Sequence, residues 1–103
     1  MDEQYKVIYF PLFYKDLNNI VKYIKYKLQN PIAANNFLNL VEQEIQKRVY
    51  NPNGYEEFKS KRKRKQKYYR IYVNNYTVFY TTKDNVMEVR RILSSRRNLD
   101  KLI

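Results

Sequence analysis

The sequence predicts an α+β fold of order β-α-α-β-β-β: a mostly antiparallel twisted sheet with a helical hairpin packed on one face. Three observations lead there. A short aromatic and β-branched segment opens the chain, two stretches with apolar residues at helical spacing follow, and three alternating stretches joined by tight polar turns complete it. The 103 residues suffice for one domain, 1–103, with no internal repeat and no stretch that reads as a linker.

Tyr5-Lys6-Val7-Ile8-Tyr9-Phe10 reads as the first strand. Pro11 ends it, and proline is tolerated at a helix start. Over residues 12–29, Phe13, Leu17, Ile20, Val21, Ile24 and Leu28 form one apolar stripe of helical period. Asn30-Pro31 interrupts, with Asn30 as N-cap and Pro31 as first residue of the next helix. That helix spans 31–50, its stripe made by Ala34, Phe37, Leu38, Val41, Ile45 and Val49. So short a break predicts an antiparallel hairpin whose two stripes need another layer to cover them.

Asn51-Pro52-Asn53-Gly54 is a turn cluster with the sole glycine. Residues 68–73 and 76–82 alternate and are rich in aromatic and β-branched types, and Asn74-Asn75 suits a two-residue hairpin. Lys83-Asp84-Asn85 turns the chain into a last strand over 86–93, which completes an antiparallel meander. Ser94 or Ser95 is the expected cap of a short final helix carrying Leu99, Leu102 and Ile103.

Cysteine and histidine are both absent. Disulfides, thiol nucleophiles, Cys/His zinc sites and a histidine base are thereby excluded, and no metal or other cofactor is expected. No apolar run approaches the roughly 18 residues of a membrane span. The start, Met1-Asp2-Glu3-Gln4, is unlike a signal peptide. The expectation is a cytoplasmic protein with no membrane partner.

The net charge is +11, and it is polarised. Residues 1–58 hold seven Lys/Arg and seven Asp/Glu; residues 59–103 hold fourteen and three. Such a field favours polyanions, whether nucleic acid, acidic protein or anionic lipid. The run Lys59-Ser60-Lys61-Arg62-Lys63-Arg64-Lys65-Gln66-Lys67 concentrates the excess. It reads either as a solvated loop or as a docking surface for rRNA, DNA or an acidic partner, with Lys61, Arg62, Lys63, Arg64, Lys65, Lys67 and Arg91 as binding candidates.

The element order on so short and basic a chain resembles the RelE/ParE toxins of type II toxin–antitoxin systems. Tyr5 to Pro11 looks like the family's opening strand and proline, and Asp16-Leu17-Asn18-Asn19-Ile20 with Tyr23-Ile24 its first helix. Asn30-Pro31-Ile32-Ala33-Ala34-Asn35-Asn36-Phe37 is similar to the start of its second helix. Tyr69-Arg70-Ile71, Asn75-Tyr76-Thr77-Val78-Phe79-Tyr80 and Arg91-Ile92-Leu93-Ser94-Ser95-Arg96-Arg97 resemble its strand signatures. The resemblance implies a growth-inhibiting toxin, plasmid-stabilising in some settings, held in a hetero-oligomer by a cognate antitoxin. One branch acts on DNA gyrase by binding. The other cuts mRNA at the ribosome without a metal.

Metal-free RNA cleavage needs a base, an acid and cations converging on one phosphate. Carried over from the family, Arg70, Arg96 and Arg97 match cationic positions of the nuclease branch. Tyr72 and Thr77 stand where a lysine and an arginine are common, and no tyrosine follows Tyr80. Lys65, Lys67 or Glu57 are the remaining proton-transfer candidates, and a lysine must be desolvated to serve. The ParE-like reading, gyrase binding without catalysis, is therefore slightly preferred. A ribosome-dependent mRNA endoribonuclease is the alternative, and an inactive nucleic-acid binder the second.

The twelve tyrosines either stack on bases or form half-buried core. Tyr69, Tyr76 and Tyr80 are assigned to the sheet, and Tyr5, Tyr23 and Tyr26 to antitoxin contact. Arg90 and Arg91, adjacent in a strand, are expected on opposite faces, one of them paired with Glu42, Glu44 or Glu88 or else lining a groove. Ser94 and Ser95 have no partner base, and Asp84-Asn85 reads as a turn rather than a metal site.

Overall fold

A computed structural model describes residues 4–59 and 64–103. Lys61, Arg62 and Lys63 of the predicted docking run lie outside the described residues.

Strand β1, Lys6–Tyr9, leads through Pro11 into α1, Pro11–Lys22, which continues as a π-helical turn, Tyr23–Lys27. Helix α2 covers Pro31–Gln46 and is capped as the sequence predicts: Asn30 Oδ1 accepts from Ala33 N–H at 3.0 Å, with Pro31 at the first helical position. It ends before the predicted residue 50, and 47–50 turn instead. A 3₁₀ turn, Pro52–Gly54, and a two-residue strand β2, Glu57–Phe58, precede the meander of β3, Tyr68–Val73, β4, Tyr76–Lys83, and β5, Val86–Ser94. The sheet order is β1-β5-β4-β3-β2, antiparallel except for β1 beside β5.

Both helices pack on one face. Phe13 of α1 and Phe37, Val41 and Ile45 of α2 meet Tyr69, Ile71, Val73, Val78, Tyr80, Met87, Val89 and Ile92 from the sheet. Leu28 and Leu38, predicted in the helical stripes, are exposed. The π turn rotates Leu28 off the stripe, and Leu40 is among the residues that pack against the core. The final helix α3, Leu99–Leu102, is capped by Asn98, whose Oδ1 accepts from Lys101 N–H, and not by Ser94 or Ser95. Ser94 is still strand, and the Ser95 hydroxyl bonds the buried Thr77 hydroxyl at 2.7 Å.

The turns follow residue chemistry. Asp84 and Asn85 both take positive φ, 49° and 64°, as a type I′ hairpin requires. At the other hairpin Asn74 alone does, at 53°. No helix among the described residues is long and apolar enough to cross a membrane.

Candidate functional site

The face of the sheet turned away from α1 and α2 carries a cross-strand row. Arg70 of β3 lies opposite Phe79 of β4, and Phe79 opposite Arg91 of β5. Two strand spacings put the backbones of Arg70 and Arg91 about 10 Å apart. Phe79 is fully buried, its ring 5.2 Å from Phe58 of β2. The row is therefore a small second core with cations at both ends.

Register decides where those cations point. Phe79 pairs with Arg91 but Tyr80 pairs with Val89, so Arg90 is the extra residue of a β-bulge. A bulge breaks the alternation of faces. Contrary to the expectation of opposite faces, Arg90 and Arg91 both engage this side. Arg90 donates from Nε to Thr81 Oγ1 at 2.8 Å and from Nη2 to Gln66 Oε1 at 2.7 Å, sits 3.5 Å from the Glu88 carboxylate, and stacks 4.7 Å from the Phe10 ring.

Arg90 thus takes Glu88, one of the three predicted carboxylates, whereas Arg91 takes none of them: its partner is Asp16 of α1, held through Nε at 2.7 Å and Nη2 at 2.9 Å. The Asp16 hydrogen bond, followed by burial acting the other way, raises the Arg91 pKa still further. Asp16 also accepts from Ile92 N–H at 3.2 Å, covering the edge of β5 beyond the end of β1. Glu44 pairs with Lys47 instead.

Asp16 was not singled out in the sequence. The available signal is its isolation: it is the sole carboxylate between Glu3 and Glu42. Arg48 was missed too. Half buried, it lies 3.6 Å over the Tyr55 ring and donates to the Arg70 carbonyl at 3.3 Å and the Tyr80 hydroxyl at 3.1 Å. The Tyr80 hydroxyl in turn donates to the Pro52 carbonyl at 2.7 Å.

The predicted cations do not all converge. The Arg70 guanidinium lies against Phe58 and the exposed ring of Tyr72. Arg96 and Arg97 are exposed past the end of β5, on the side of the helical hairpin: Arg96 faces Tyr23 and Phe37, Arg97 faces Asn19 and Ile20. Arg64 donates to the carbonyls of Ile103 and Asp100, both at 2.9 Å, and stacks on Tyr68. Lys65 and Lys67 are exposed and share a groove of about 550 Å³ with Glu57, Lys59, Arg64 and Tyr68. Tyr23 and Tyr26 are exposed, whereas Tyr5 is half buried and its hydroxyl accepts from Asn53. Tyr69 and Tyr80 are buried in the sheet as predicted, and Tyr76 is half buried. Among the described residues no group of three or more acidic side chains is arranged to hold a metal ion.

The family described as ParE toxin of type II toxin-antitoxin system, parDE, matches residues 7–99. Among solved structures, the chain is similar to one in the crystal structure of the RelB-RelE antitoxin-toxin complex from Methanococcus jannaschii, with a TM-score of 0.51 and 21% identity. That likeness covers 93% of this chain and 99% of the other, and at such identity it is one of fold. No curated protein matches the sequence.

Proposed function

Because the chain belongs to the ParE toxin family of type II toxin–antitoxin systems, we propose that it arrests growth by binding DNA gyrase, and that a cognate antitoxin neutralises it. The observation that carries the binding reading over RNA cleavage is the state of the arginines on the open sheet face. Arg91 is neutralised by Asp16 and Arg90 by Glu88. A phosphorane needs unpaired cations with an acid and a base beside them. Here the cations are committed to structure, and the sequence holds no histidine. Arg96 and Arg97, exposed and away from Arg70, serve in this reading as docking charges together with Lys61, Arg62, Lys63, Arg64, Lys65 and Lys67. Tyr5, Tyr23 and Tyr26 serve antitoxin contact.

The test is DNA supercoiling by purified gyrase with the purified chain added. Loss of supercoiling that added antitoxin restores is the expected result. Full supercoiling at a large molar excess of the chain overturns the gyrase assignment.

One observation favours a second reading, ribosome-dependent mRNA cleavage. Glu57 shares one groove with Lys59, Lys65, Lys67 and Tyr68, a set holding both proton donors and an acceptor. Primer extension on mRNA in a translating extract separates the two. Specific cuts that vanish with Glu57→Gln would establish cleavage, and intact message with inhibited gyrase excludes it.

A further inference from the structure

We propose that a cleft between α1 and α2 binds a small organic monocation, an ammonium group on an apolar body, against the rings of Tyr9 and Tyr14 and facing the Glu42 carboxylate. The cleft is lined by none of the predicted docking cations, and the inference does not depend on the toxin reading.

One wall is built by the passage from β1 into α1. Pro11 starts the helix directly after the strand, and the amides of Phe13 and Tyr14 both bond to the Phe10 carbonyl, at 2.9 and 3.3 Å. This tight turn gathers three rings. Tyr9 lies 5.4 Å from Phe13 and 5.7 Å from Tyr14, and Phe13 lies 6.0 Å from Tyr14. Phe13 is buried and anchors the group, while Tyr14 keeps 52% of its surface exposed. The other wall comes from α2, where Leu38 and Glu42, four residues apart, share a helix face. Leu38, expected in the core stripe, lines the cleft instead. The volume is about 310 Å³, the size of a site for a small molecule.

Charge identifies the occupant. Among the described residues, Glu42 is the only charged side chain lining the cleft. Their ion pairs use Glu44, Asp100, Glu88 and Asp16, and none uses Glu42. In a chain with 21 Lys/Arg and 10 Asp/Glu, a carboxylate that takes no cation of its own is available to one from outside. Tyr9 reports the closeness of that charge: burial first, and then Glu42, hold its phenol above the ordinary range, so the ring stays neutral. Neutral aromatic faces attract cations, and a carboxylate opposite them adds to the attraction. A phosphate would meet the carboxylate and no cation. A second copy could insert a lysine or arginine only against the repulsion between two chains of net charge +11. A polyamine would bring several charges to one carboxylate. A monocation whose apolar body covers Leu17 and Leu38 matches both the single charge and the apolar floor.

The experiment titrates the full chain with 2-phenylethylammonium and follows amide chemical shifts by NMR. Three further probes are 2-phenylethanol, which lacks the charge, 3-phenylpropanoate, which reverses it, and N-acetyl-lysine methylamide, which mimics a protein side chain. The expected result is saturable shifts at Tyr14, Leu38 and Glu42 with a Kd of about 1 mM or tighter. The alcohol should bind about fivefold more weakly, the lysine mimic about threefold more weakly, and the carboxylate more weakly than the alcohol. Glu42→Gln should weaken the ammonium about fivefold and leave the alcohol within about twofold. Tyr14→Leu keeps an apolar wall without its ring and should weaken the ammonium about threefold. Unshifted core amides at Val78 and Val89 show that each variant is folded.

Absence of saturable shifts at those three residues overturns the proposal. So does ammonium affinity within twofold of that of the alcohol, or unchanged by Glu42→Gln. Binding of the lysine mimic as tight as that of 2-phenylethylammonium overturns the assignment to a free amine.

Discussion

Arg91 and Asp16, 75 positions apart, form a two-point ion pair that ties α1 to the edge of β5, with Asp16 also capping the Ile92 amide. Both side chains are mostly buried. Removing one partner therefore strands a charge in a poorly solvated place. Asp16→Ala is expected to lower unfolding free energy by about 2–4 kcal/mol, read from urea denaturation. The double variant Asp16→Ala/Arg91→Ala should cost clearly less than the sum of the two single changes. Strict additivity would show that the pair is not coupled.

Tyr80 is the second structural anchor, and it has a pH signature. Burial pushes its hydroxyl above the ordinary tyrosine range, partly offset by the hydrogen bond and charge of Arg48. Burial likewise raises Tyr9, where Glu42 adds to it, and Tyr76. In the unfolded chain these phenols release their protons near the ordinary value of about 10, while the folded state holds them. Their contribution is thus fully present below about pH 10 and is lost as pH rises toward the folded values. Denaturant midpoints should be flat from pH 7 to 9 and fall steeply above 10. Tyr80→Phe should cost about 1–2 kcal/mol at pH 7, from the unmet Pro52 carbonyl, and should lessen the alkaline fall. An alkaline limb identical to that of the unmodified chain would count against this account of Tyr80.

The meander was legible because its strands alternate and its turns use Asn and Asp where positive φ is needed. The Asn30 cap was legible for the same reason: the chemistry is local. What the sequence hid is non-local. The bulge at Arg90 is set by how β5 meets β4, and no residue type announces it, so adjacency in sequence misassigned the faces of Arg90 and Arg91. The partner of Arg91 comes from a helix far back in the chain, which periodicity does not locate. The separation of Arg70 from Arg96 and Arg97 has the same origin, since a shared charge in a motif says nothing about which side of a strand end it leaves from.

The β4–β5 turn offers a clean test of local chemistry. Asp84 and Asn85 sit at φ 49° and 64°, where a branched side chain is strained. Asn85→Gly should be neutral or stabilise by a few tenths of a kcal/mol, whereas Asn85→Val should cost more than about 1 kcal/mol. Thermal unfolding of the two variants checks the order, and equal melting temperatures would contradict the turn assignment.

The exposed lysines of the groove beside β2 separate fold from function. Lys65 and Lys67 are solvent-facing, so their exchange for glutamate should leave thermal stability almost unchanged. The long-range field is another matter. The double variant Lys65→Glu/Lys67→Glu moves the net charge from +11 by four units to +7, all of it in the basic half. If cationic docking brings the chain to its target, the concentration that half-inhibits gyrase should rise about tenfold at low salt. That gap should narrow as ionic strength increases, because screening weakens the unmodified chain more. Arg91→Ala should behave in the opposite way, destabilising the fold while removing no exposed docking charge. Unchanged inhibition by the double glutamate variant at every salt concentration would show that these two lysines take no part in target binding.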